Sequence, residues 1–586
     1  MYYKKMGDKI KNLIKDALKN LDIEVADIAL EHPADLKMGD YSTNIALVIA
    51  KDVKSNPKEL AEKIVATLRQ TVGEFPEIQE IQVAGAGFIN FYLSRKFFAR
   101  SVEEILNQGY NIGKNDVLTG KKIMIEYTDP NPFKPFHIGH LMTNAIGESV
   151  ARILAHSGAE VSRVNYQGDV GLHVAKAIYG LLKNDKLQDK KWTRTLQAAN
   201  IGRAYAKGSE ACENNSEAKI EIDEINKKIY DKSDKKINEI YDWGFKTTME
   251  AFEDLYKILG TKFDFYFLES QMAPIGERIV KDNLDKVIDA PHSKMIFEES
   301  DNAIVFKAEK YDPKLHTRVF ITSKGLSTYE TKELGLTEEK FKTKPGLNLS
   351  IIVTANEQMD YMKVVAKAIS LINPEHEKKM FHITHGMMRF VGGKMSSRKE
   401  NVITGESLLS DVRDLVLEKM TDREFGNEER EKISDDVAVS AIKYSILKQS
   451  TGGDIVYDFE RSISFEGDSG PYLQYSHARA NSILEKAQKE NILPDPHAFG
   501  VEIFEVEKLL YKFGEVVLRA SKEYEPHYIA NYLIEVARAF NSFYGNNLIV
   551  SKEDKTSGYK VALTYAVTFV IKTGLHLLGI VAPKKM

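Results

Sequence analysis

The sequence predicts a multidomain α/β protein, with a Rossmann-type parallel-sheet domain in the middle, an α+β domain before it and an all-α domain after it. Three observations carry this. A short apolar run over 122–127, a Pro-rich loop, helical spacing over 139–157 and a second short strand over 161–166 give the strand–helix–strand order that leaves two strands parallel. Residues 1–115 mix helical spacing with strand-like runs. From Glu406 onward the pattern is helical nearly throughout. At 586 residues the chain is too long for one core, and domains of about 150 residues predict three or four of them.

Taken in order, the N-terminal domain (1–115) has helical spacing over 6–21, 44–53 and 57–68, then strands over 78–83 and 88–93 joined by the turn Ala84-Gly85-Ala86-Gly87. The polar stretch 111–120 reads as a linker. The sheet domain (119–405) opens with the strand 122–127, and Gly158 stops the helix that follows. A strongly charged helical insertion occupies about 180–262. β-rich runs come next, at 263–268, 295–297, 303–307 and 319–322, and 349–354 suits a buried parallel strand. The all-α domain is 406–586.

Composition excludes some classes. The net charge of −4 lacks the basic footprint usual in nucleic-acid binders, although a local basic face can still exist on an acidic chain. The single cysteine, Cys212, rules out an internal disulfide and a Cys-rich zinc site and fits a reducing cytoplasm. No run approaches the ~20 apolar residues of a membrane span, and the first residues lack the apolar core of a secretory signal. A cytoplasmic protein without membrane association is expected.

Chemistry concentrates in two segments. Pro135-Phe136-His137-Ile138-Gly139-His140 falls where the first strand's loop meets its helix. A helix N-terminus offers unpaired N–H groups and partial positive charge, a natural phosphate site. His137 and His140 can donate to phosphate oxygens, and Gly139 lets a flat base approach the backbone. The letters His-x-Gly-His alone more often mean a loop-capping His137 and an ordinary helix residue at His140; their strand-to-helix setting points to phosphate. Far downstream, Gly392-Gly393-Lys394-Met395-Ser396-Ser397-Arg398-Lys399 joins two glycines to three cations and two hydroxyls. Such a loop can fold over a triphosphate and offset the charge on departing pyrophosphate. By itself it is also an ordinary solvated basic turn.

Together the two segments resemble the HIGH and KMSKS motifs of class I aminoacyl-tRNA synthetases. In the second, Ser397 replaces the usual second lysine and Arg398 stands beside it, which leaves open whether Lys394, Arg398 or both hold phosphate. Segments 126–132 and 165–171 resemble those around the HIGH motif in arginyl-tRNA synthetases. That resemblance implies arginine contacts from Glu126 and Asn131, and from Tyr329 with Glu333, where the family usually has a shorter aspartate; Glu330 is a competing carboxylate. It implies ATP contacts from His137, Gly139, His140, Lys394, Met395, Ser396 and Gln358, with Mg²⁺ accompanying ATP. Residues 39–50 and 84–93 resemble the family's N-terminal tRNA-binding domain, with Asn44 as a contact. Segments 470–479, 540–544 and 578–583 resemble its helical anticodon-binding domain, where Tyr472, Tyr475, Arg479 and Tyr544 would meet unstacked bases. Taken singly, each aromatic is more often a helix-packing residue. The resemblance implies an arginine–tRNA ligase, acting as a monomer on arginine, ATP and tRNA(Arg). Another class I synthetase and a catalytically silent RNA-binding paralogue are the competing readings.

Overall fold

A computed structural model describes all residues except 1–3, 72, 74, 190, 289–293, 392–402, 420–425 and 498–500. The chain forms two compact units: one comprises Asp116–Ser464 with Leu578–Ile580, the other Met1–Asn115, Phe465–Leu577 and Val581–Met586.

The first unit is built on five parallel strands: β1 (Lys122–Glu126), β2 (Glu160–Gln167), β3 (Phe265–Leu268), β4 (Leu349–Ala355) and β5 (Met380–His385). Their order is β5–β4–β1–β2–β3. Apolar Ile123, Met124 and Ile125 of β1 and Ile351, Ile352 and Val353 of β4 are buried, as strands covered on both faces require. The chain runs outward from β1 through β2 to β3, then returns to β4 on β1's other side. That reversal opens a crevice at the carboxyl ends of β1 and β4, where open α/β sheets bind ligands.

Helix α1 (Ile138–His156) follows β1 and ends at Ser157–Gly158, with Gly158 at φ +98° as the predicted stop. The charged insertion forms the helices Arg194–Asn214, Ser216–Asp231 and Lys235–Leu259. Its inner face, with Ile201, Ile222, Ile225 and Ile240, closes a core around Phe133 of the Pro-rich loop. The insertion thus anchors the segment that leads into α1. Helix α2 (Glu269–Asp282) follows β3, and an antiparallel meander (Glu298–Ser300, Ala303–Phe306, Arg318–Ile321) leads to α3 (Tyr329–Thr343). Glycines bring α2 and α3 unusually close: a Cβ on Gly335 would lie 2.2 Å from the Met272 carbonyl oxygen. Helix α4 (Met359–Ile372) connects β4 to the edge strand β5.

The structure departs from the sequence reading in three places. Strand β5 was not expected; it has the polar sequence Met-Phe-His-Ile-Thr-His and earns its place through ladder bonds to β4. Ile455–Asp458, inside the run read as helical, is a strand parallel to Met388–Val391. Helices α5 (Gly405–Lys419) and α6 (Asn427–Leu447) pack against α1, so the sheet-bearing unit continues to Ser464, past the boundary expected at 406. Helical periodicity marks which face is buried, not whose core covers it.

In the second unit a three-stranded antiparallel sheet, ordered Tyr41–Thr43, Phe88–Leu93, Ile78–Ala84, carries the helices Lys4–Lys19 and Pro57–Thr71. The C-terminal helices share its interior. Tyr41 donates its hydroxyl to Glu515 at 2.9 Å, and Arg95 pairs with buried Glu507. Among the described residues no helix is long and apolar enough to cross a membrane.

Candidate active site

A cavity of about 570 Å³ opens at the carboxyl ends of the strands. Glu126 and Thr128 reach it from β1, Tyr166 and Gly168 from β2, Glu269 from α2, Val353 to Ala355 from β4 and His385 from β5. The expected residues Glu126, Asn131, His137, Gly139, His140, Tyr329, Glu333 and Gln358 all line it. Lys394, Met395, Ser396 and Arg398 lie outside the described residues.

At the α1 N-terminus the two histidines cap the helix reciprocally. The His140 N–H donates to His137 Nδ1 at 3.4 Å, and the His137 N–H donates to His140 Nδ1 at 3.2 Å. The rings stack with centroids 3.4 Å apart. A nitrogen that accepts carries no proton, so each ring is a neutral imidazole with its proton on Nε2. Electrostatics agree. Loss of surrounding water and the Lys134 charge push His137 down to about 4, and burial followed by the His137 and Lys134 charges holds His140 well below the usual histidine range. Both rings therefore present a neutral Nε2–H donor. The cap uses Nδ1 and leaves Nε2, so capping does not compete with the phosphate role expected from the sequence. A Cβ on Gly139 would stand 3.0 Å from the His137 ring, so the stacked pair itself calls for glycine there.

The opposite wall is acidic. Lys340 of α3 is ion-paired with Glu126, and both are buried. Lys332 bonds Glu269 at 2.5 Å and lies 5.2 Å over the Tyr329 ring. Arg318 takes Glu330 at 3.3 Å. Glu330 is therefore engaged, whereas buried Glu333 has a single described hydrogen bond, from the Tyr361 hydroxyl at 3.5 Å. Burial first, then the neighbouring Glu126 charge, push Glu333 up to about 8 and hold Asp129 well above the carboxylate range.

The loop between β1 and α1 is strained. Thr128, Asp129 and Phe133 sit at φ +78°, +47° and +67°, a region that costs non-glycine residues on the order of 1–3 kcal/mol each. Side-chain staples hold it: Asp129 accepts the Tyr166 N–H at 2.7 Å and Asn131 Oδ1 accepts the Gly168 N–H at 3.0 Å. Gly168 permits this approach, since a Cβ there would lie 2.3 Å from Asn131 Oδ1. The Asn131 oxygen keeps a second lone pair and its NH₂ is a further donor, so this side chain can serve either a guanidinium or a carboxylate.

Residues 101–459 match the family described as tRNA synthetases class I (R), catalytic domain; 473–586 match the DALR anticodon binding domain, and 8–93 the arginyl tRNA synthetase N terminal domain. The chain belongs to the arginyl-tRNA synthetase family. It is 31% identical over 594 residues to an arginine–tRNA ligase of Clostridium perfringens, spanning 98% of this chain and 100% of that one. A Halothermothrix orenii arginine–tRNA ligase is 29% identical over 587 residues, spanning 99% of both. The solved arginyl-tRNA synthetase of Thermus thermophilus shares the fold, with a TM-score of 0.75 and 24% identity across 99% of this chain and 100% of that one. Enzymes of this class use ATP.

Sequence reasoning missed several cavity residues of this arginyl-tRNA synthetase family member: Thr128, Asp129, Tyr166, Glu269, Arg318 and Tyr361. Lys340 was missed as well. The Tyr166 hydroxyl is buried without a partner among the described residues. A polar loop flanking the HIGH motif hints at Thr128 and Asp129; nothing local in sequence marks Lys340 or Tyr361, which enter through helix packing. In the other unit, four expected RNA contacts do come together. Arg479 lies 4.7 Å over Tyr475 and 5.3 Å over Tyr544, bonds Asn541, and Asn541 donates to the Tyr472 hydroxyl at 2.9 Å. Asn44 stands at the N-cap of the helix Ile45–Ile49 without capping it.

Proposed function

We infer that the chain ligates arginine to tRNA in two steps. The arginine carboxylate attacks the α-phosphorus of ATP, forming arginyl-adenylate and releasing pyrophosphate. A ribose hydroxyl of the terminal adenosine of tRNA, the 2′-OH in class I enzymes, then attacks the adenylate carbonyl and AMP leaves. The observation that carries this reading is the pairing, in one cavity at the sheet's switch point, of a carboxylate wall with two neutral imidazole donors on a helix N-terminus.

The roles divide by chemistry. Glu333 and Glu126 receive the guanidinium's planar fork of donors. Tyr329, beside Glu333 in the cavity, flanks it. The Asn131 NH₂ meets the substrate carboxylate and orients it for in-line attack. His137 and His140 donate Nε2–H to phosphate oxygens as charge builds, and Gln358 meets the nucleotide. Neutral imidazoles stabilise through their dipoles, so offsetting the pyrophosphate charge falls to Lys394 and Arg398, a role supported by motif order and composition. Mg²⁺ would accompany the triphosphate and offset part of its charge, keeping several waters of its own. Tyr472, Tyr475, Arg479 and Tyr544 offer a stacked cation–aromatic face to anticodon bases.

Aminoacylation kinetics test the assignment. His140→Ala is expected to lower kcat by more than it raises the arginine KM, because its bonds tighten in the transition state. Glu333→Gln is expected to raise the arginine KM about thirtyfold, the loss of one charge-assisted bond of roughly 2 kcal/mol. Unchanged constants in both variants would remove these residues from the reaction.

A further inference from the structure

Three carboxylates of the cavity, Glu126, Asp129 and Glu333, feel the charge of one buried ammonium, Lys340. Lys340 is taken by Glu126, and Asp129 accepts a backbone N–H from Tyr166 at 2.7 Å. Glu333 is the most weakly hydrogen-bonded of the three, since its described hydrogen bond comes from the Tyr361 hydroxyl at 3.5 Å, the outer limit of such a bond. The charged groups facing it from neighbouring elements are already committed. Glu269 of α2 holds Lys332, and Glu330 of α3 holds Arg318 of the meander. Tyr166 of β2 and Tyr361 of α4 are phenols raised well above their ordinary range by burial and by the Glu333 charge, and so are neutral. A buried carboxyl without its own cation is least costly as the neutral acid.

Resting on the reading of this cavity as the arginine site, we propose that arginine enters in exchange for a proton: Glu333 is a neutral carboxylic acid in the empty cavity and releases its proton to solvent when a guanidinium seats against it. The O–H bond breaks, the proton goes to water, and the new carboxylate pairs with the incoming cation. One positive charge enters and one leaves, so the buried site keeps its net charge. A side chain of the same shape without charge cannot drive this ionisation, which makes the exchange a filter against neutral analogues.

The sign follows from linkage. The empty site holds the proton below about 8, and the occupied site does not. Arginine affinity therefore rises with pH, by up to tenfold per unit, and levels off above that value. Titration calorimetry of the full-length enzyme with L-arginine, with and without tRNA, between about pH 5.5 and about pH 8 and in buffers of differing ionisation enthalpy, reads both quantities. The expected result is on the order of one proton released per arginine at neutral pH, with Kd falling as pH rises. Glu333→Gln should bind arginine more weakly, release no proton and show a flat pH profile, and L-citrulline should bind the wild type weakly with no release. Arginine binding to the wild type with constant Kd and no proton release overturns the proposal while leaving the site reading intact. Proton release that persists undiminished in Glu333→Gln also overturns it, placing the proton elsewhere. Absence of arginine binding under every condition overturns the site reading itself.

Discussion

At the residue scale, two carboxylates three positions apart on α3 have separate fates. Arg318 occupies Glu330, which leaves Glu333 facing the cavity. Glu330→Gln is therefore expected to change the arginine KM only a few-fold, far less than Glu333→Gln; the reverse order in steady-state kinetics would exchange their roles. The sequence had shown both as candidates and could not separate them, because the deciding partner lies on another element. Glu126, Asn131, Tyr329 and Gln358 were legible because family motifs carry them. Lys340 and Tyr361 were not, because an ion pair buried between a helix and a strand leaves no local pattern. The histidines titrate low for the same packing reasons. Their neutral, Nε2-protonated form is thus expected to persist across the acidic side of neutrality, which NMR of the ring nitrogens would show as an unchanged tautomer at pH 6.

At the element scale, the site depends on how closely helices pack. Gly335 of α3 sits where a Cβ would press on the Met272 carbonyl of α2, and the same pair of helices carries Glu269, Lys332 and Glu333. Gly335→Ala is expected to force them apart, lowering stability by about 1–3 kcal/mol and raising the arginine KM, as thermal melts and kinetics would show. A variant with wild-type Tm and KM would mean that this contact is soft. The long α1 and the strands β1, β2 and β4 were predicted from period and composition; β5 was missed because its polar edge sequence relies on pairing with β4. The insertion had no assigned chemistry in the sequence, and its packed core around Phe133 gives it a structural one, bracing the loop before His137.

At the scale of the whole molecule, domain types were legible in the sequence, but the sheet-bearing unit does not end at the break expected at 406. Helices α5 and α6 extend the sheet-bearing unit to Ser464. Lys443 of α6 binds that unit internally, donating to the Leu259 carbonyl at 2.6 Å and the Gly579 carbonyl at 2.9 Å. Lys443→Met strands both acceptors and is expected to cost roughly 2–4 kcal/mol in denaturant unfolding. Burial, followed by the Arg152 charge, lowers Lys443 from 10.5 to about 7. A depressed lysine loses its stabilising contribution as pH falls from the unfolded value through the folded one, so the gap between wild type and Lys443→Met should widen from pH 7 toward 10.5.

On the proposed function, the cavity at the β1–β4 crevice activates arginine with ATP. Isotope exchange between pyrophosphate and ATP, measured with each of the twenty amino acids in the presence and absence of tRNA, addresses it most directly. Exchange with arginine alone, and only in the presence of tRNA, is expected. Exchange supported by another amino acid, or by none under any condition, would contradict it.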